Sequence, residues 1–203
     1  MLYKTHKAAG VLTCLVAYDI LSRRGMLAPN IEPLVQLAVI YPACSWASTA
    51  PDLDHALTNV KEQTPINILI NKLLHIGRCS HRSVQTHSVL FTGSFCLLLY
   101  GMVYLMGYMG LDDNSRGLLQ LMVMGVSLGV LSHLVMDSLS TDGIWLVPKV
   151  KFRLVPKRRA FGTGGKWESF VCVLLYIAIV YMVVHLVFSL MGYSLMFGGI
   201  RLL

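Results

Sequence analysis

Seven histidines and ten acidic residues are spread over 203 positions, and most gather in short groups beside apolar runs. His6 stands near the N-terminus. Asp52, Asp54 and His55 follow Pro51. His81 and His87 bracket a polar stretch, His133 and Asp137 lie four apart, Asp142 comes just after, and Glu168 is last. Imidazole with carboxylate is the ligand mixture of zinc, manganese and iron sites. Residues four apart on a helix differ by about 40° around the axis and about 6 Å along it, so His133 and Asp137 can face one ion. Pro51 cannot continue a helix interior, so Asp52-Leu53-Asp54 is expected to turn and aim carboxylates inward. The step from His81 to His87 suits a loop entering a helix, with Thr86 or Ser88 as its cap.

The elements that must hold these residues are apolar. Hydrophobic residues make up 55% of the chain and charged ones only 13%, against about 25% in a typical soluble domain. Mean hydropathy is +0.63. This excludes a disordered chain, a coiled coil and most soluble enzymes. The stretches 33–51, 83–111, 117–136 and 169–200 hold no Asp, Glu, Lys or Arg. A spanning helix needs about 20 mainly apolar residues. Four spans are therefore expected near 34–50, 89–110, 118–138 and 170–192, with a shorter, half-embedded helix at 8–21 paired to the first. A signal peptide is not expected, because Asp19 sits where cleavage would fall. The fold class is an all-α polytopic membrane bundle of four to five transmembrane helices, and residues 1–203 form a single domain. The five cysteines include no CxxC pair and read as small apolar residues.

The net charge is +7. It sits in short blocks between apolar runs, which suits membrane orientation better than nucleic acid, and no nucleic-acid partner is expected. If the five helices are antiparallel neighbours, one side carries 13 of the 17 lysines and arginines, and that side is cytoplasmic by the positive-inside bias. The block Lys149–Arg159 is a topology determinant and a candidate site for anionic lipid or phosphate. On the same topology, ten His, Asp and Glu residues from five segments meet at one membrane–water boundary. Singly, each has a structural reading. His133 would be a hydrogen-bonded core residue, Asp52 or Asp54 a turn residue, and Glu168 a first-turn charge on a helix dipole. Their convergence favours the metal site. His75 and His185 are expected to be structural, and Asp112 and Asp113 to lie in a solvated loop.

Thr5-His6-Lys-Ala-Ala-Gly10, Pro51-Asp-Leu-Asp-His55, His81-Arg82 with Thr86-His87-Ser88, and His133-Leu-Val-Met-Asp137-Ser138 occur in an order that resembles the YdjM family of bacterial inner-membrane, metal-dependent hydrolases. The resemblance runs from Thr5 to about Phe170. It implies a metal site at His6, Asp52, Asp54, His81, His87, His133 and Asp137. Thr163-Gly-Gly-Lys-Trp-Glu168 looks like the family's late Gly-then-Glu segment and adds Glu168. The family usually has His-Arg-Gly-x-Thr-His-Ser. Here one more residue separates His81 from His87, and Ser83 stands where Gly is usual. A more distant similarity is to the zinc-dependent phospholipase C and P1 nuclease class, which also uses an HxxxD helix pair, and this favours phosphoester hydrolysis.

The expected function is a membrane-bound, metal-dependent hydrolase acting on a lipid or lipid-linked phosphate. The metal ligands are His6, Asp52, His81, His87, His133, Asp137 and Glu168. Asp54 and Asp142 are the candidate catalytic residues, as general base or as partners that fix an imidazole tautomer. Arg82, Lys157, Arg158 and Arg159 would bind the anionic substrate. Zinc is the expected metal, manganese the alternative. The partner is the lipid bilayer of the inner membrane, with the site facing the cytoplasm. The competing readings are a non-catalytic metal-binding membrane protein or an ion transporter, whose site would sit near mid-membrane at broken helices.

Overall fold

The structure is a computed structural model. It describes residues 3–54, 65–76, 82–160, 162, 164–191, 196–197 and 200–201, with only the backbone described for Asp54, Ile66, Leu73–Ile76, Arg159, Met196, Phe197, Ile200 and Arg201. His55 and His81 lie outside the described residues.

The chain is mostly helical. It runs α1 Tyr3–Arg23, α2 Pro33–Ala47, a short 3-10 turn Ala50–Asp54, α3 Pro65–Ile76, α4 Val89–Tyr108 and α5 Asp113–Ser138. A hairpin of β1 Ile144–Val147 and β2 Val150–Phe152 follows, then a 3-10 turn Lys157–Arg159 and α6 Lys166–Leu190. A second small hairpin pairs β3 Met196–Phe197 with β4 Ile200–Arg201. The two hairpins depart from the all-α expectation. Ile144, Trp145, Val147, Val150 and Phe152 are β-branched or aromatic, which favours a pleated strand.

Among the described residues three helices, α4, α5 and α6, are long and apolar enough to cross a membrane. The fourth expected span is shorter than predicted: α2 has 15 residues, about 22 Å of helix against a hydrocarbon core of about 30 Å. Pro33 opens it, and the Ala50–Asp54 turn follows its end. In contrast, α1 exceeds the expected 8–21 at both ends, and α5 and α6 begin earlier than their charge-free runs. Polar residues occupy the extra turns. The Asp112 carboxylate accepts from the Asn114 and Ser115 N–H groups at 3.1 and 3.0 Å, capping α5, where the sequence suggested a solvated loop. Ser88 Oγ caps α4 by accepting from Phe91 N–H at 3.0 Å.

Helix direction matters most for the site. Ala9 packs with Met136, Val171 and Leu175, so α1 and α6 both start where α5 ends. The Tyr18 hydroxyl donates to Pro33 O at 2.9 Å, so α2 starts beside the far end of α1. Ser88, just before α4, bridges Trp145 just after α5. Thus α1, α4 and α6 run away from one end of the bundle, and α2 and α5 run toward it. Below that end lies an apolar core that includes Cys14, Leu15, Ile40, Cys44 and Leu121. Two glycines permit the close approach: a Cβ on Gly129 of α5 would clash with the Cys44 carbonyl of α2, and one on Gly10 of α1 with the Ser48 side chain.

Candidate metal centre

The end at which α2 and α5 finish and α1, α4 and α6 begin is polar and buried. His6, His87, His133 and Asp137 are each no more than 1% exposed. Each comes from a separate piece of chain or a separate turn. His6 lies in the first turns of α1. Asp52 projects from the turn after α2. Arg82 and His87 belong to the loop before α4, and His133 and Asp137 to the last turns of α5. Tight α1–α2 and α2–α5 packing brings the end of α2 against both His6 and His133.

The distances form a consistent set. Asp137 Oδ1 is 3.3 Å from His6 Nε2, and Asp137 Oδ2 is 3.5 Å from both His87 Nε2 and His133 Nε2. Asp52 Oδ1 is 3.5 Å from His87 Nε2 and 3.8 Å from His133 Nε2, and Asp52 Oδ2 is 4.0 Å from His6 Nε2. The two Nε2 atoms of His87 and His133 are 3.3 Å apart. His6 and His133 stack with ring centroids 4.0 Å apart. Neither ring nitrogen of His6 finds a hydrogen-bond partner among the described residues.

These separations exceed the usual 2.7–3.2 Å of a nitrogen–oxygen hydrogen bond. They match the edge of a tetrahedron of donors about an ion: ligand bonds of about 2.1 Å give donor–donor edges of about 3.4 Å. Among the described residues two sets of donors lie mutually within 4.8 Å, His6 with His133 and Asp137, and Asp52 with His87 and His133. The residues therefore fit a divalent metal.

The histidine tautomers also fit. A carbonyl only accepts, so the 2.8 Å contact of His133 Nδ1 with Ser48 O places the proton on Nδ1 and leaves the Nε2 lone pair facing the cluster. His87 Nδ1 lies 2.8 Å from Thr86 Oγ1, which can accept in the same way. Such partners orient imidazole ligands in metal sites. Burial pushes the Asp52 carboxyl up, but the His87, His133 and His6 imidazoles beside it outweigh this and hold the group well below the usual carboxylate range.

The remaining candidates divide. Arg82 reaches the cluster, with Nη2 3.5 Å from Asp137 Oδ1 while Nη1 pairs with Asp142. Asp142 therefore stands outside Arg82, with its side chain 60% exposed. Glu168 is buried, and its Oε2 accepts the Gly164 N–H at 2.7 Å, but it belongs to neither donor set. This contact closes the first turn of α6. Asp54 lies in the turn with Asp52, but its side chain is not described. Lys157 and Arg158, expected to bind the anionic substrate, are exposed on the segment before α6.

One grouping was missed. His185 was expected to be structural for want of an acidic neighbour in sequence. In space its Nε2 accepts from Arg23 Nη2 at 2.6 Å and lies 3.5 Å from Asp19 Oδ1, at the opposite end of α1. Asp19 and Arg23 are i,i+4 partners on α1. Their spacing was visible, but nothing in the sequence placed α6 beside them.

A family model described as YdjM inner membrane protein matches residues 1–196, and the chain belongs to that family. No curated protein and no solved structure matches it. The class is thus an inner-membrane protein with apolar helices and a buried His/Asp cluster able to hold a metal ion.

Proposed function

We propose that the protein is a multi-pass, membrane-bound, metal-dependent hydrolase that cleaves phosphoesters of lipid or lipid-linked phosphates. The carrying observation is the set of 3.3–3.5 Å separations around Asp137, which suits ligation better than hydrogen bonding. His6, His133 and Asp137, joined by Asp52 and His87, would hold the ion, with zinc favoured by the nitrogen-rich donor set. When bound, such an ion lowers the pKa of water toward neutrality and stabilises charge on phosphoryl oxygens.

The chain's own residues do the rest. Ser48 O and Thr86 Oγ1 fix imidazole orientation. Arg82 sits beside the donors and is aimed by Asp142, so it can turn its guanidinium to an anionic substrate. In this arrangement Asp142 positions Arg82, and Asp54 is the remaining candidate general base. Position at the helix ends, not at mid-membrane, favours hydrolysis over transport. Among the described residues Lys4, Lys7, Arg82, Lys149, Lys151, Arg153 and Lys166 lie toward this end, which supports a cytoplasmic site by the positive-inside bias.

The test is hydrolysis of a generic phosphodiester and a phospholipid panel by zinc-loaded and manganese-loaded protein. The reading expects turnover that is lost in His133→Ala. Metal binding without turnover on any phosphoester would remove the hydrolase and leave a metal-binding membrane protein.

A further inference from the structure

We propose that the β1–β2 hairpin is a membrane-interface element that docks on anionic phospholipid headgroups at the site end of the bundle. Its cross-strand partners are Ile144 with Phe152, Trp145 with Lys151 and Val147 with Val150. Residues two apart on a strand share a face. Phe152 and Val150 therefore share one face with Ile144, and Lys151 lies on the other with Trp145, while an irregularity between Trp145 and Val147 interrupts the alternation before Val147 meets Val150.

Ile144 is buried, yet Val147, Val150 and Phe152 are 40%, 48% and 38% exposed. A lone two-stranded ribbon with an uncovered apolar face is marginal in water. The same ribbon at a bilayer surface buries that face among acyl chains, with its cations left at headgroup level.

The cations are in place. Lys149 is at the tip, following Pro148, and its φ of 73° is one that glycine ordinarily supplies at a turn. Holding a lysine there costs backbone energy, which suits a tip whose charge is used. Lys151 Nζ lies 4.7 Å from the Trp145 ring centroid.

The level is right as well. All three tryptophans, Trp46 at the end of α2, Trp145 in β1 and Trp167 at the start of α6, lie at this end of the bundle. Tryptophan concentrates at membrane–water boundaries.

The hairpin is also bonded to the metal-centre loops. Trp145 N–H donates to His87 O at 3.0 Å, Trp145 Nε1–H donates to Arg82 O at 3.2 Å, and Leu154 N–H donates to Ser138 O at 2.9 Å. Docking the hairpin thus sets the height of the His/Asp cluster against the headgroups. The inference does not depend on the metal.

The test uses full-length protein in vesicles of phosphatidylcholine mixed with phosphatidylglycerol. Val150→Cys carries an environment-sensitive fluorophore, in a Cys79→Ser, Cys96→Ser, Cys172→Ser background that leaves only the buried Cys14 and Cys44. An equal trace of doxyl-labelled phosphatidylglycerol or phosphatidylcholine is the quencher, and iodide probes from water.

Docking predicts poor access to iodide and several-fold stronger quenching by the anionic lipid. Lys149→Gln with Lys151→Gln should bring that preference down toward equal quenching by the two lipids. A label open to iodide, or equal quenching by the two lipids in the protein with native lysines, overturns the proposal without needing any charge variant. Metal content of the same vesicles is read separately, so an empty metal centre with intact lipid preference would tell against the metal reading alone.

Discussion

His133 Nε2 and Asp137 Oδ2 lie 3.5 Å apart, one turn from each other on α5, and the Nε2 of His87 lies 3.5 Å from the same oxygen. Two imidazoles and a carboxylate that converge at this spacing, wholly buried, are too far apart for strong hydrogen bonds and close enough to share an ion. Helix periodicity supplies the first pair. The loop before α4 supplies the third member, and the α2–α5 contact closes the site from behind.

That contact has a measurable sensitivity. Gly129→Ala puts a methyl into the Cys44 carbonyl. Overpacking of this kind costs about 1–3 kcal/mol. Thermal unfolding in detergent should show the loss, and metal affinity should fall with it, because Ser48 O moves away from His133.

Thr86 acts on His87 through Nδ1. Thr86→Val removes the hydroxyl and keeps the shape, and should weaken metal binding by about 10–100-fold. Thr86→Ser should restore it. Metal titration checks both, and equal affinity in all three proteins would remove Thr86 from the account.

Arg82 is expected to serve the substrate. Arg82→Gln should leave metal content unchanged and raise KM for an anionic phosphodiester by about 10–100-fold, the value of a charge-assisted hydrogen bond of about 1.5–3 kcal/mol. Asp142→Asn should produce a smaller change in the same direction, since it only holds the guanidinium.

The trio at the opposite end should behave differently. Asp19→Ala leaves Arg23 and His185 without their carboxylate and should destabilise the bundle by about 1–3 kcal/mol. Metal content should not change, because α1 carries this group and His6 at opposite ends.

Much of this architecture was readable in residue order. Long charge-free runs located α4, α5 and α6, and the HxxxD spacing located His133 and Asp137. Convergence of the helix ends could be argued before any coordinates, since alternating helices return polar termini to one side. Other features depended on packing. The length of the first expected span was not readable, because a charge-free run does not reveal that α2 stops at Ala47 and gives way to a turn. The β1–β2 hairpin was hidden in a segment read for its charge, where Val147, Val150 and Phe152 carried the signal. Glu168 was called from its place at a helix start and from the late Gly-then-Glu segment, and the Gly164 N–H contact its carboxylate accepts was not readable there. His185 gained its partners only through α1–α6 packing, which local sequence does not encode.

The most direct test is the metal content of protein purified without chelators, wild type against Asp137→Asn. The substitution keeps the size of the side chain and removes the charge shared by His6, His87 and His133. The account predicts divalent metal bound to the wild-type chain and largely lost from Asp137→Asn, with both proteins folded. Wild-type protein without metal, or Asp137→Asn with its full complement, would contradict it.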